Sequence, residues 1–313
     1  MRRPGRGGRA RVGVVVLTTG ERPRELAAAV SSVRRQRDVE VELVVVVNSD
    51  DPQAADAVRD AAGPARRGPL GAAGAIADTA VLVPGSNLGI PAGRNLGVDA
   101  LQDSEVVLFL DDDGELVGDE VLARAAGAFA ADPTLGAVSL RNVDPDTGET
   151  QRRHVPRLRV GDPTRSSWVT TFLGGASLVR VDAFRAVGGL PSHFFYAHEE
   201  TSLAWRLLDH GYRIRYAATL AMAHPAVAPA RHATYHHLTG RNRVLLARQH
   251  LPAPLAVAYV LLWLVLGLVR SRGGRRALLG GFVAGLRERD VVREPIRWRT
   301  VWRMTRYGRP PLL

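Results

Sequence analysis

The chain has 313 residues, with 42 basic against 31 acidic side chains and a formal charge of +11. That length suits one large α/β domain or two modest ones, and 46% hydrophobic with 23% charged residues excludes a wholly disordered chain. The absence of cysteine excludes a disulfide scaffold, a thiolate zinc site and a Cys nucleophile, and it fits a reducing cytoplasmic setting.

The charge is unevenly placed. Residues 1–11 hold five Arg and no acid; residues 270–313 hold twelve Arg against Glu288, Asp290 and Glu294; residues 12–269 hold 25 Arg and 28 acids, a net −3. A nucleic-acid-binding fold carries its basic stripe on the folded surface, so no nucleic-acid partner is expected. Terminal Arg clusters beside an apolar segment point instead to an anionic membrane surface.

In chain order, Val12–Leu17 is a β-branched run too short for a signal-peptide core, and it reads as a first buried strand. Pro23 stands at the first position of a helix on which Leu26, Val30 and Val33 recur at helical spacing. Val41–Val47 is a second strand ending at Asn48-Ser49-Asp50-Asp51-Pro52. Residues 52–78 read as a helix and a loop, and Ala80–Val83 as a short third strand. Pro91 opens a helix to about Leu101, Val106–Leu110 is a fourth strand, Asp119 is placed to cap a helix through Ala131, and Ala137–Leu140 follows as a strand. Continuous apolar strands separated by helices predict an α/β fold with a mainly parallel sheet covered on both faces. Residues 141–166 read as irregular; a strand at Ser177–Arg180, an aromatic stretch His193–Tyr196 and a helix from Glu199 come after them.

From Leu255 to Val269 the chain is uninterruptedly apolar, counting Gly267, and a second apolar patch, Ala277–Leu286, lies between Arg residues. At 1.5 Å per residue the first helix spans roughly 22 Å, short of a roughly 30 Å hydrocarbon core. An interfacial or re-entrant helix pair is favoured over a single span or a buried core helix.

Ligands of such sheets bind beyond the carboxyl ends of the strands, where this chain places Thr18–Arg22, Asn48–Asp51 and Asp111-Asp112-Asp113. Three carboxylates abutting a buried strand either gather around a hard divalent cation or form a polar loop. Glu199-Glu200, behind Phe194-Phe195-Tyr196, pair two carboxylates that burial and mutual repulsion suit to general-base work; a helix N-terminus also favours Glu on its own. Asn87-Leu88-Gly89-Ile90-Pro91-Ala92-Gly93-Arg94-Asn95 is a glycine-bearing turn into a helix, fit to hold a phosphate or simply to pack tightly. His224 alone reads as a structural residue or a ligand. His232, His236 and His237 have no zinc-site spacing, and no Walker A or GxGxxG pattern is present.

In order and spacing these segments closely resemble the family-2 glycosyltransferases of the GT-A nucleotide-sugar-binding fold. The resemblance runs from Val12 to about Arg248 through Thr18–Pro23, Asn87–Asn95, Phe109–Asp113, Gly174-Gly175-Ala176, Ala186–Leu190 and Phe195–Arg206. It implies a glycosyltransferase domain over 12–248, with a nucleotide-sugar half at 12–140 and an acceptor half at 141–248. A flexible basic segment, 1–11, would precede it, and membrane-associating helices with a basic tail, 249–313, would follow.

The resemblance implies nucleotide-sugar contacts from Thr18, Thr19, Glu21, Arg22, Asn48, Asn87, Gly89, Arg94, Asn95, Asp111 and Asp112. It implies a donor- or acceptor-sugar loop at Gly174, Gly175 and Ala176. Asp113 and His224 would hold Mn²⁺ or Mg²⁺, and Glu200 would be the base, with Glu199 the alternative. Two departures stand out: the family usually has Asp where this chain has Glu200, and an Asp where it has Ser202.

The expected activity is therefore inverting sugar transfer from a nucleotide-diphospho-sugar to a glycan or lipid-linked acceptor, at the inner face of the cell membrane. A nucleotidyltransferase on a similar sheet, or a nonenzymatic basic membrane- or nucleic-acid-binding protein, are the competing readings.

Overall fold

A computed structural model describes residues 9–63, 75–225, 234–270 and 273–313; His232 and most of the basic N-terminal segment lie outside these residues. The first half alternates β1 (Arg11–Thr18), α1 (Pro23–Arg34), β2 (Glu40–Val47), α2 (Ala54–Ala62), β3 (Ala75–Leu82), α3 (Gly89–Asp99) and β4 (Val106–Asp111). Next come β5 (Glu115–Val117), α4 (Val121–Ala131), β6 (Leu135–Val143), β7 (Ser167–Val169), β8 (Ala176–Arg180), α5 (Val181–Ala186), α6 (Glu199–Asp209) and β9 (Arg213–Ala223). Helices α7 (Tyr235–His250), α8 (Ala253–Arg270), α9 (Arg275–Arg287) and α10 (Trp298–Arg306) complete the chain.

The strands form one sheet in the order β3-β2-β1-β4-β8-β6-β9-β5, with β7 on β9. β1, β2, β3 and β4 pair in parallel. β8 runs against β4 and β6, and β6 is parallel to β9, so β5, β7 and β8 alone oppose the common direction.

The central strands are buried on both faces. Period-2 alternation sends Val14, Val16, Leu108 and Leu110 into one core with α1 and α4, and Val15, Val107 and Phe109 into the other with α5 and α6. Each such side chain contributes about 1.5–3 kcal/mol through burial, which is why the Val-rich runs form strands although they lack alternating polarity.

Helix α4 departs from expectation at its start. Asp119 does not cap it; the Leu122 N–H is satisfied from the turn after α1, by the Gln36 side-chain oxygen at 3.0 Å, while the Asp119 carboxylate faces Arg37 at 3.4 Å. A cap supplied by another element leaves no local sequence signature.

The C-terminal stretch expected as a basic tail is folded. Ile296, Val301 and Met304 join the core that contains Phe194 and Leu203, and Asp209 receives hydrogen bonds from the Arg297 N–H (2.8 Å) and the Thr300 hydroxyl (2.6 Å). Helix α8 has 18 residues and is long and apolar enough to cross a membrane by length and composition alone. Only Tyr259 of it is buried, and Val257, Leu261, Val265 and Val269, at four-residue spacing, stand more than half exposed.

Candidate active site

Three strand ends build the donor side. β1 ends at Thr18, whose hydroxyl donates to Asp112 Oδ2 at 2.6 Å and accepts the Gly20 N–H at 3.0 Å. β4 ends at Asp111, and the following turn buries Asp112 and Asp113. Arg22 forks across both of these carboxylates, meeting Asp112 Oδ1 at 2.5 Å and pairing also with Asp113. Asp112 is therefore the post that fixes Thr18 and Arg22, and its bonding capacity is directed inward. Burial raises its pKa to about 6 against the opposing pull of the Thr18 hydrogen bond and the Arg22 charge.

Asp113 faces His224, at the end of β9, with 3.0 Å between Oδ1 and Nε2; Asp111 Oδ2 is 4.0 Å from the same nitrogen. Burial would lower the His224 pKa, but the Asp113 hydrogen bond and charge outweigh it and raise it. Burial likewise works to raise Asp113, and His224 with Arg22 turns the net shift downward. One ligand atom from each of Asp111, Asp113 and His224 falls within 4.8 Å of the others, and His224 Nδ1 is buried without a hydrogen-bond partner. Two carboxylates and an imidazole converging at this spacing fit a divalent cation.

Past the end of β2, Asn48 and Asn87 bond to each other (3.0 Å) and to the N–H groups of Leu88 (2.7 Å) and Gly89 (2.9 Å). They shape the turn into α3. Thr19 and Glu21 sit on the β1–α1 turn, Thr19 half-buried and Glu21 exposed. Asn95 is directed elsewhere: its amide nitrogen donates to Leu190 O at 2.8 Å, and its oxygen accepts the Leu190 N–H at 2.9 Å. It ties α3 to the 190–192 loop.

Arg94 connects the donor side to the acid pair. Buried over Phe109, it donates to Asp111 Oδ1 at 2.9 Å and approaches Glu199 Oε1 at 3.8 Å. The Gly174-Gly175-Ala176 segment makes room for this link. A Cβ at Gly175 would collide with the Asp111 carboxylate, and one at Gly174 would meet the Arg94 guanidinium at 2.8 Å. Gly89, at φ +78°, admits the backbone of Phe195 to a distance no side chain would allow.

Glu199 and Glu200 open α6 and line one cavity of about 350 Å³ together with Arg94, Asp111 and Gly175. Glu199 is buried and its Oε2 has no hydrogen-bond partner; burial first, then the Glu200 charge, push its pKa up to about 8. Glu200 is half-buried, less deeply than Glu199, and burial raises its pKa.

The loop before them is strained. Phe195, Ala197 and His198 all adopt left-handed backbone, at φ +62°, +70° and +69°. Buried Asn242 on α7 holds it there, donating to the carbonyls of Phe194, Tyr196 and Ala197 at 2.7–3.0 Å. Ser202, where the resemblance leads one to expect Asp, is fully buried with its hydroxyl 2.8 Å from His250 Nε2, so α6 docks on α7 through a neutral pair. Sequence reasoning missed Asn242, His198, Tyr235, Thr239 and Arg243, the last four of which line the cavity. They come mostly from α7, a helix with no motif of its own.

The fold and this cavity define a nucleotide-sugar-dependent transferase of the GT-A type. Residues 14–188 match the family model described as Glycosyl transferase family 2, and the chain belongs to that family. A search of curated proteins finds no match.

Solved structures share the fold at low identity. GalNAc-T7 with UDP, GalNAc and Mn²⁺ superposes with a TM-score of 0.61 at 11% identity, covering 88% of this chain; this chain spans 55% of that one. The mannosyltransferase PcManGT from Pyrobaculum calidifontis, in complex with GDP-Man and Mn²⁺, gives 0.57 at 19% identity, with 96% and 85% coverage. S. aureus TarS 1–349 gives 0.52 at 16% identity, with 84% and 74% coverage.

Proposed function

We propose that the protein transfers a sugar, with inversion, from a nucleoside-diphosphate sugar to an acceptor hydroxyl on a lipid-linked or cell-envelope glycan, with Glu200 as general base. The observation that carries this reading is the single cavity that holds Asp111, backed by Asp113 and His224, together with Glu199-Glu200, bridged by Arg94. Asp111, Asp113 and His224 would hold a divalent cation, which when bound supplies charge neutralisation to the departing diphosphate. Glu200, the more open of the two acids, takes the acceptor's proton as the hydroxyl attacks. Glu199, kept protonated near neutral pH, positions Arg94 and leaves the negative charge to Glu200. A single acid pair serves one face of the sugar, so attack comes opposite the leaving group and the anomeric configuration inverts. UDP in the GalNAc-T7 structure and GDP-Man in the PcManGT structure support a UDP- or GDP-sugar type of donor.

Incubation with Mn²⁺ and a panel of nucleotide sugars, followed by mass spectrometry and NMR, tests this. The expected result is release of a nucleoside diphosphate and a product of inverted anomeric configuration. Release of pyrophosphate with transfer of the nucleotide would establish the nucleotidyltransferase alternative instead.

The same proposal places the protein peripherally on the inner face of the cell membrane. The outer face of α8 is an apolar stripe, while its inner face is bound to the body: Tyr259 OH accepts from Arg243 at 3.0 Å and Trp263 Nε1 donates to Leu312 O at 3.1 Å. A helix docked this way cannot stand across a bilayer without drawing the polar body into hydrocarbon, so it lies in the interface with Val257, Leu261 and Val265 immersed. Trp298 and Trp302, exposed on the Arg-rich α10, add interfacial anchors. The triple substitution V257E/L261E/V265E is expected to move the protein from the floating to the soluble fraction in flotation with anionic vesicles. Unchanged flotation would contradict the interfacial placement.

A further inference from the structure

Beside the cavity that holds Glu200 lies a second, smaller one of about 60 Å³, and the two share His198 and Arg243 as a common wall. Its other walls include Arg309, Tyr259 and Trp263. Arg243 lies over the Trp263 ring, 3.4 Å from its centroid, and donates to the Tyr259 hydroxyl. Arg309 donates through Nε to the Leu313 carbonyl at 2.9 Å.

Among the described residues, no side-chain carboxylate lies within ion-pair reach of either guanidinium, although Arg residues elsewhere in the fold take carboxylates as partners, as Arg22, Arg94 and Arg213 do. Burial lowers the basicity of both, and the Arg243 charge lowers that of Arg309 further, against the opposing pull of the Glu200 charge from the neighbouring cavity. His198 shares the space as a neutral imidazole, held so by burial and by both Arg, and its Nε2 is buried without a partner. Two half-buried like charges and an unpaired ring nitrogen around one hollow, offset only at longer range by Glu200, favour a further anion there.

We propose that this hollow seats the phosphate of a phosphorylated lipid acceptor, with Arg243 and Arg309 as its charge partners. The inference rests on the transferase reading above and names the acceptor's chemical class. Guanidinium groups bind phosphate oxygens in a bidentate, charge-assisted manner; Trp263 covers one face of Arg243 and Tyr259 takes one of its N–H groups, so the remaining N–H groups are those a ligand would meet.

The hollow is walled by the helix at which such a molecule would arrive. Tyr259 and Trp263 belong to the inner face of α8, and the exposed Val257, Leu261 and Val265 are on the other side of the same helix turns. A lipid tail lies along α8 in the bilayer, its phosphate sits between the two Arg, and the part beyond the phosphate passes His198 to reach Glu200. Free inorganic phosphate would use the same charges without the apolar wall, so the two sources are separable.

The test is calorimetric titration of the full-length protein with geranylgeranyl phosphate in nonionic detergent, against geranylgeraniol and inorganic phosphate. The phosphorylated lipid is expected to bind at least about tenfold more tightly than either competitor, since it alone engages both the charges and the apolar wall. Arg309→Gln is expected to weaken it at least about tenfold, and Arg309→Lys, which keeps a point charge, is expected to restore part of that loss. Nucleoside-diphosphate binding in Mn²⁺ stays unchanged in both variants and reports an intact fold.

Equal affinity for the neutral alcohol would mean the site reads only the tail, and equal affinity for inorganic phosphate would make it a free-anion site; either overturns the proposal, as does an Arg309→Gln protein that binds the lipid phosphate normally. If Arg309→Gln fails to fold, the three-ligand comparison on the unmodified protein decides alone. Failure of the unmodified protein to bind any nucleoside diphosphate with Mn²⁺ would instead strike the transferase reading, whatever happens at the hollow.

Discussion

Glu200→Gln is expected to lower the rate constant for sugar transfer by about 10²–10⁴-fold while leaving nucleotide-sugar affinity within about twofold. Gln keeps the shape and hydrogen-bonding span of the side chain but cannot take a proton, and Glu200 makes no ion pair with Arg22 or Arg94 among the described residues. The pH profile carries independent information. Burial raises both acids above the ordinary carboxylate range, and the Glu200 charge raises Glu199 further, to about 8. The two titrate as a coupled pair. A base must be unprotonated to act, so kcat/KM rises with pH through the pair's first ionisation and falls away on the acid side of it. Glu200→Gln removes that acid limb from the residual activity. Glu199→Gln retains transfer within about tenfold. The reverse pattern, an active Glu200→Gln and an inactive Glu199→Gln, would assign the base to Glu199.

Much of this site was legible because strands that are apolar on both faces announce themselves without tertiary information. Once Val12–Leu17, Val41–Val47 and Val106–Leu110 are placed side by side, their polar C-terminal ends fall on one edge, and Thr18, Asn48 and the Asp triplet must gather there. What could not be read is the direction of each side chain after the strand ends. Asp112 and Asp113 are adjacent in sequence, yet one bonds Thr18 and the other His224, because the turn after β4 reverses their orientation. Asn95 sits one residue from Arg94 on α3 and bonds a different loop for the same reason: neighbours on a helix point about 100° apart.

The short strands β5 and β7 have only three residues each and owe their existence to pairing with β9, a partner distant in sequence. Helix α7 contributes Asn242 and Arg243 through tertiary contact alone. The C-terminal charge, read as a tail seeking a lipid surface, is partly used inside the fold, where Arg297 pairs with Asp209 and Arg309 walls a cavity.

Asp113→Ala is expected to weaken Mn²⁺ binding by at least about 100-fold and to reduce transfer in proportion. More is lost than one oxygen ligand. Asp113 is the carboxylate that His224 Nε2 faces at 3.0 Å and that shares Arg22 with Asp112, so its removal leaves Asp111 as the one acid facing His224 and leaves Arg22 to Asp112 alone. With one carboxylate fewer beside Arg22, the site attracts a divalent ion less strongly as well as lacking a donor for it.

The intact site carries a pH signature with a defined sign. Asp113 holds His224 above its ordinary pKa despite burial, and the ring must be neutral to ligate, so metal binding releases a proton. Mn²⁺ affinity should therefore fall as pH drops through the raised His224 value, while Asp113, whose own pKa is lowered, stays ionised throughout. Titration of Mn²⁺ by electron paramagnetic resonance between pH 5.5 and 8.5 reads both effects, and His224→Gln should flatten the pH dependence while lowering affinity. Asp112→Asn is the matched control: Asp112 holds Thr18 and Arg22 and lies outside the metal cluster, so its loss should cost stability more than metal affinity. An Asp113→Ala protein that binds Mn²⁺ as the unmodified one does would remove the cluster of Asp111, Asp113 and His224 from the mechanism.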